Sequence, residues 1–488
     1  MPLNYKKLII WTLGIPLVLL AVYASLGMNA FVLSVSVVMV GLVARGIIAD
    51  IYPQALVLVG GMVLLVMAAF MFPETPLVKA SSGSRFIDVF GNISEVFSSN
   101  LTSLGLTIMV IAGFSRYMHE IGASQKLVVI SVKPLGLLKS RYFLLGCCFI
   151  LIQLLAMFLT SPAGLSLLLM STLYPILRSV GCSKGAVASV IASICINYGP
   201  ADVGNILIAE LAGVEVFDVF LSQVPILAIV FPFIGVMHMV MQRYWDRREA
   251  QAGLIDEKDA LVEDEASAPD VPLYYALFPV LPLVVLFVFS DLAQDFFPEG
   301  MKFKVGILPA LLMSFFLALF VDFARSLDVK AAAQKISFMF EQMGQSFMAI
   351  VSILICAQVL AQGLIKIGFV SILFNLLPAG EHTHVLIVLF FSLFIFVSAA
   401  VLGTATTFSA FAPLAAEMAK TGGVSIVKML MSMNYSGAFG RACSPIAGFI
   451  IAVSGLVGLK PYDLIKRNSV QLISGYVLIL TLNYLMID

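Results

Sequence analysis

Apolar runs of about 20 residues recur along the chain, separated by short polar joints. Each is long enough to cross roughly 30 Å of hydrocarbon as a helix. Three come first, at about 8–26, 28–45 and 51–72. The first outruns the apolar core of a signal peptide and has no small-residue cleavage site behind it, so it reads as a retained span. A polar stretch, 73–100, contains Pro73, Pro76 and the run Ser81-Ser82-Gly83-Ser84, which predicts a loop with a short surface helix. The apolar pattern resumes over 101–245. Residues 246–270 then form the one long hydrophilic run, acidic and Ala-rich, which reads as an exposed linker. Two spans, at about 272–290 and 305–322, lead to a last apolar block near 340–487. The expected division is therefore 1–100 (scaffold spans and an outer loop), 101–245, 246–270 (linker), 271–339 (connecting spans) and 340–488.

Within this pattern one series of motifs occurs twice. The first copy reads MHEIGASQ, LTSPAGLSLLLMSTLYP, INYGPADVGN and GVEVFDVFLSQVP. The second reads LIKIGFVS, LGTATTFSAFAP, MNYSGAFGRACSP and GLKPYDLIKRNSV, in the same order and about 237–246 residues later. Pro175 matches Pro413, Asn197-Tyr198 matches Asn434-Tyr435, and Phe217-Asp218 matches Tyr462-Asp463. Before the last span, copy one carries Glu210, Glu215 and Asp218 and no cation, whereas copy two carries Lys460, Lys466 and Arg467. Lys and Arg favour the cytoplasmic side, so the two copies are expected to cross in opposite directions. An inverted pair places its binding site at the midplane, where the halves meet. Lys6, Lys7 and Arg45 put the N-terminus in the cytoplasm by the same rule.

Composition narrows the class. Hydrophobic residues make up 61% and charged residues 11%, with mean hydropathy +1.05; a soluble chain carries about a quarter charged residues. This predicts an all-α polytopic membrane protein. A net charge of zero offers nothing to nucleic acid. The six cysteines form no CxxC pair and the four histidines have no ligand spacing, so no cofactor is expected beyond a coupling Na+ or H+. No phosphate-binding loop, nucleophile elbow or zinc helix occurs, which argues against an ATPase or any other enzyme.

Chemistry is expected where the motifs interrupt the apolar runs. Thr160, Ser161, Pro162 and Gly164 do so in copy one, and Gly403, Thr404, Thr406, Thr407 and Ser409 in copy two. Pro and Gly break helices, and a helix N-terminus at a break favours anions. The opposing reading is that each hydroxyl bonds its own helix backbone. The second pair, around Asn197 and around Asn434 and Ser436, predicts unwound helix in both copies. Freed carbonyls with Asn197 and Asn434 make candidate sodium sites, one per copy; the alternative is a kink whose broken bonds the Asn side chains satisfy. Two charges lie inside these motifs. Arg441 is a candidate for a substrate carboxylate and Asp202 for a proton or sodium ion. The alternative is a structural pair of Asp202 with Arg441.

At LTSPAGLSLLLMSTLYPILRSVG, INYGPADVGNILIAELAG and NYSGAFGRACSPIAG the chain resembles the anaerobic C4-dicarboxylate carriers of the DcuC type, over about 100–488. That resemblance implies an elevator-type transporter of the bacterial inner membrane, a homodimer with two re-entrant hairpins whose tips lie near 160–164 and 403–408. It also implies exchange, uptake or efflux of small organic dianions such as succinate, fumarate and malate. The tips here read Thr-Ser-Pro and Thr-Ala-Thr-Thr, without the Asn of related symporters. Two alternatives remain at this point: a carrier of the same build for another organic anion, and the membrane subunit of a binding-protein-dependent system.

The inversion has a direct test. Asp218→Cys and Asp463→Cys, each in a background lacking the native cysteines, are expected to react with an impermeant thiol reagent from opposite faces of the membrane. Labelling of both from one face would contradict the inverted arrangement.

Overall fold

The computed structural model describes residues 27–39, 41–43, 45–46, 51–137, 140–251, 271–290, 293, 304–369, 371–372, 383–402 and 404–487. The expected first span, 8–26, and linker residues 252–270 lie outside them. The described chain is helical. After helical residues 27–39 come α1 (Pro53–Met71), α2 (Arg85–Asn100), α3 (Leu106–Glu120), α4 (Ala123–Val132), α5 (Arg141–Ala156) and α6 (Pro162–Ser179). They are followed by α7 (Lys184–Ile191), α8 (Val203–Ala212), α9 (Val216–Gln251), α10 (Leu281–Val288), α11 (Ile307–Ser326) and α12 (Val329–Ser346). The last six are α13 (Ser352–Lys366), α14 (Thr383–Leu402), α15 (Thr404–Gly422), α16 (Ile426–Ala442), α17 (Gly448–Leu456) and α18 (Pro461–Met486). Among the described residues five helices are long and apolar enough to cross a membrane, the longest being Val329–Lys366 and Val216–Gln251.

Two compact units interleave along the chain. One comprises 1–102, 352–387 and 409–424, and the other 103–351, 388–408 and 425–488. In the first, α1 and α13 run parallel. Gly61 lies against the Leu360 backbone and Gly363 against Leu64, while Gln54 Nε2 donates to Ser352 Oγ at 3.2 Å. Small residues let two backbones approach closely, which is how helices pack where lipid removes the hydrophobic drive. The stretch predicted as a loop folds back on the end of α1. Arg85 donates to the carbonyls of Ala69, Phe72, Pro73 and Thr75, filling acceptors that the helix end leaves unpaired. Ser81 and Ser82 donate to Asp88, and these hydrogen bonds hold its carboxyl below the usual carboxylate range. The surface helix expected there is the 16-residue α2, which runs on without a loop.

In the second unit α3 packs antiparallel to α12, with Gly113 against Met339 and Met343. Helix α9 packs antiparallel to both α5 and α18. Gly146 meets Met239 and Tyr142 bonds Asp246, while Gly475 meets Ile234 and Arg467 bonds Gln242. Asp218 and Asp463 therefore lie at opposite ends of an antiparallel pair whose members close the two copies. The last span of copy one is a 36-residue helix that takes in 246–251 of the expected linker.

The repeat reaches further back than its motifs show. Both copies open with a helix, a single π turn and a second helix: α2, Leu101–Gly105 and α3, then α12, Phe347–Val351 and α13. The sequences of the two turns share nothing obvious, and two of the five unit boundaries fall at them, at 102/103 and 351/352.

The close contact of α1 with α13 is testable. An added Cβ at Gly61 would lie 2.6 Å from Leu360 N. Gly61→Ala is therefore expected to lower stability by about 1–3 kcal/mol through overpacking, read as a lower Tm in detergent. Gly344→Ala, which meets nothing within 4 Å, is expected to leave Tm unchanged.

Candidate functional site

The site is built on a break in the chain. Between α7 and α8, residues 193–198 are not helical, although nearly all of them are buried. α7 ends at Ile191, and Pro200, which removes a donor and disfavours helix at Gly199, keeps the ladder from running on into α8. Each freed carbonyl inside a membrane protein needs a partner. Gln153 Nε2 donates to Ser193 O at 3.0 Å. Asn205 Nδ2 donates to Tyr198 O at 2.7 Å and Gly199 O at 2.9 Å. Gln223 Nε2 donates to Asn205 Oδ1 at 3.0 Å, and Tyr435 Oη donates to Gln223 Oε1 at 3.1 Å. Copy two thus anchors the broken backbone of copy one through two side-chain amides. Gln153, Asn205 and Gln223 were not singled out from the sequence; their one signal is polarity within apolar runs.

The matched segment of copy two is different. Asn434, Tyr435 and Ser436 lie within α16, and the chain leaves the helix only at 443–447. The unwinding expected at Asn434 is therefore absent, because Gly437 stands where copy one has Pro200 and keeps its backbone donor. The gap between Gly437 and Thr404 is small, and Thr404 Oγ1 donates to Gly437 O at 2.7 Å.

The two copies meet at their matched asparagines. Asn434 Nδ2 donates to Asn197 O at 3.5 Å, and Arg441 Nη2 donates to Asn197 Oδ1 at 3.0 Å. Gly204 has no room for a Cβ because the Asn434 carboxamide occupies that position. Asp202 caps α8, accepting from Gly204 N at 2.9 Å. Arg441 and Asp202 make no ion pair within 4.0 Å, so the structural pair considered above does not form as a salt bridge. Arg441 Nε is enclosed without a hydrogen-bond partner, and the guanidinium carbon lies 5.8 Å from the Phe449 ring centre. In the run 191–200 Asn197 alone is partly exposed, and Asp202 and Arg441 share that exposure. These three polar residues are partly exposed within an otherwise buried region.

The other candidates divide. Thr160 and Ser161 are exposed at the break between α5 and α6, where Ser161 Oγ caps α6 by accepting from Gly164 N at 3.2 Å. Thr160 lines a cavity of about 40 Å³ together with Pro200, Ala201, Ser115 and Phe114, which places the tip beside the unwound segment. Thr404 is buried on Gly437, and Thr407 Oγ1 donates to Thr404 O at 3.3 Å. Ser436 Oγ bonds Ser432 O at 2.6 Å and Tyr476 Oη at 2.9 Å, which turns it away from Asn197. Gly403 and the Thr406 side chain lie outside the described residues. The carbonyls proposed for sodium are largely engaged: Ser193, Asn197, Tyr198 and Gly199 each accept from a side chain, and no cluster of three or more His, Cys, Asp or Glu occurs among the described residues. Arg467, read from sequence as a loop cation, is buried and paired with Asp246 at 2.7 Å and Glu249 at 3.0 Å.

The family model of the C4-dicarboxylate anaerobic carriers, DcuC, matches residues 30–488. The chain belongs to the DcuC family. It is 28% identical over 455 residues to the anaerobic C4-dicarboxylate transporter DcuC of Escherichia coli K12, covering 92% of this chain and 95% of that protein. It is 27% identical over 433 residues to a probable DcuC of Vibrio cholerae, covering 88% and 92%. Among solved structures it is similar to Neisseria gonorrhoeae MtrF, described with a class of antimetabolite efflux pumps, at TM-score 0.57, 13% identity and coverage of 88% and 94%. It is also similar to the Alcanivorax borkumensis YdaH transporter at TM-score 0.55, 14% identity and coverage of 88% and 98%. The DcuC-family chain is thus a multi-pass membrane transporter and not an enzyme, and its fold is that of known transporters.

The amide anchor of the break is testable in this DcuC-family protein. Asn205→Leu is expected to lower stability by about 1–3 kcal/mol for each carbonyl left unsatisfied, measured by thermal unfolding in detergent. The exposed Ser179→Ala is expected to stay within about 0.5 kcal/mol of the parent.

Proposed function

We propose that this DcuC-family chain is a secondary carrier that moves small C4-dicarboxylates of the succinate, fumarate and malate type across the bacterial inner membrane by alternating access. The observation that carries the reading is Arg441: a guanidinium at the meeting of the two copies, oriented by Asn197, with no carboxylate within 4.0 Å. Asp202 acts on the guanidinium only from beyond salt-bridge distance, so an arriving carboxylate supplies the close hydrogen-bonded anion that Arg441 lacks. The planar guanidinium suits a carboxylate in two-point contact. Asn197 and Asn434 position Arg441, and Thr160 and Ser161 at the start of α6 offer hydroxyls and free backbone donors to a second carboxylate. The relatives' names and the antiparallel setting of α9 and α18 support this reading. An inverted pair of copies has two mirror-related ways of opening, so one site faces either side in turn. In this reading re-entrant tips lie near 160–164 and 403–408, the carrier is a homodimer of the elevator type, and its N-terminus is cytoplasmic.

The absence of Asn from both tips favours a second reading, a carrier of the same build for another organic anion. Proteoliposome flux of labelled succinate, with internal dicarboxylate, sodium and pH varied separately, distinguishes the two and identifies the coupling ion. Saturable counterflow blocked by fumarate and malate is the expected result; blockage only by a tricarboxylate or gluconate-like acid supports the second reading. Arg441→Lys keeps the charge but loses the fork. It is expected to raise the half-saturation concentration by about tenfold or more, equal to about 1.4 kcal/mol, with a smaller fall in maximal rate. An unchanged half-saturation value would remove Arg441 from the binding site.

A further inference from the structure

A second polar cluster lies deep between α9, α18, α7 and α5, apart from Arg441. His238, Gln242, Gln471 and Ser189 are all fully buried. Both ring nitrogens of His238, Gln242 Nε2, Gln471 Oε1 and Ser189 Oγ have no hydrogen-bond partner. Neutral imidazole carries one donor and one acceptor, and burying both unused is costly. Native interiors rarely tolerate one such group, and five together mark a place where a further polar species sits.

The five atoms belong to one connected set. Gln242 follows His238 by one helical turn on the same face of α9. The antiparallel register sets Gly475 against Ile234 and Arg467 against Gln242, which brings Gln471 level with His238. Gln471 Nε2 donates to Asn468 Oδ1 at 2.9 Å, and Asn468 Nδ2 donates to Ser189 O at 2.8 Å. At the far end, Arg467 bonds Gln242, Asp246 and Glu249. His238 stacks on Phe149, with ring centres 5.0 Å apart.

Charged groups gather at one end of this set: along α9, Asp246 lies about 12 Å and Glu249 about 16 Å from His238, and Arg467 pairs with both. The other charged and titratable groups on the helices packed against α9 are Arg141, Tyr142, Cys147 and Cys148 on α5, Lys184 on α7, Glu210 at the far end of α8, and Tyr462, Asp463, Lys466, Tyr476 and Tyr484 on α18; α9 itself adds Asp218, Arg243, Tyr244, Arg247 and Arg248.

We infer that this cluster is a proton site: water bridges the unpartnered side-chain atoms, and His238 takes up and releases a proton during the transport cycle. A hydronium ion transfers its proton to the free ring nitrogen and leaves as water; an N–H bond forms as an O–H bond breaks, and the return step reverses both. The inference rests on the reading of the chain as a carrier of dianions, whose charge a carried proton partly offsets. Gln at 238 retains a donor and an acceptor but cannot take up a proton.

Proteoliposomes containing the full chain separate the two claims. Counterflow of labelled succinate against internal succinate, without gradients, reads substrate exchange. Net uptake driven by an alkaline interior reads proton coupling. His238→Gln is expected to keep counterflow within about twofold while gradient-driven accumulation falls about tenfold, the order of a typical coupling between two sites, and its pH profile flattens. Gln242→Leu, which leaves the ring and removes the amide link, is expected to show the same separation. Gradient-driven accumulation at the parent level in both variants overturns the inference, as does equal loss of counterflow and accumulation in both. A parent protein with counterflow but no gradient response overturns the proton site and leaves the carrier reading intact. A parent without dicarboxylate counterflow overturns the carrier reading itself.

Discussion

Backbone carbonyls without helical partners cannot be left bare inside a membrane protein, and the arrangement of this site follows from that constraint. The ladder is interrupted over 193–202, with Pro200 inside the interruption, and the chain answers with side-chain amides from three helices. Gln153 holds the start of the break, Asn205 holds its middle, and Gln223 passes the contact on to Tyr435 of the other copy. Satisfying the break therefore joins the two copies at the place where Asn197 faces Arg441. The polar groups that stabilise the broken backbone and those around Arg441 are thus neighbours along the chain, through Asn197-Tyr198 and Asn434-Tyr435.

The copies share a plan without being mirror images. Both begin with a helix interrupted by a π turn, both carry a matched proline inside a helix (Pro175 in α6 and Pro413 in α15), and both end on a long helix. Their difference falls at the site. Copy one unwinds around Asn197, while copy two keeps Asn434 in a continuous helix and uses Thr404 to close on Gly437. Half of the site is thus irregular backbone held by amides, and half is a rigid helix that supplies Arg441. A rigid helix keeps a long guanidinium side chain in one orientation, whereas a loop would not.

Much of the fold was legible before any coordinates. Apolar run length identified the spans, as with α1 where 51–72 was expected, because crossing hydrocarbon demands a minimum helix length. The linker was less legible at its start: Asp246, Arg247 and Arg248 are polar enough to look like coil, yet α9 carries them as helix to Gln251. Arg467 shows the limit of counting charges. It counts as a surface cation in sequence, but two carboxylates on α9 take it into the interior.

The sequence by itself determined the membrane class, the doubled motif order, the family and the identity of the polar interruptions, because hydrophobic length, Pro, Gly and charge act locally or through composition. Only the tertiary structure decided which interruption unwinds, which hydroxyls are spent on their own backbone, and whether Arg441 pairs with Asp202 or stands beside Asn197. Those outcomes depend on groups more than two hundred residues apart in the chain, as with Asn197 and Arg441. No local pattern encodes their distance, since it is set by how whole helices pack.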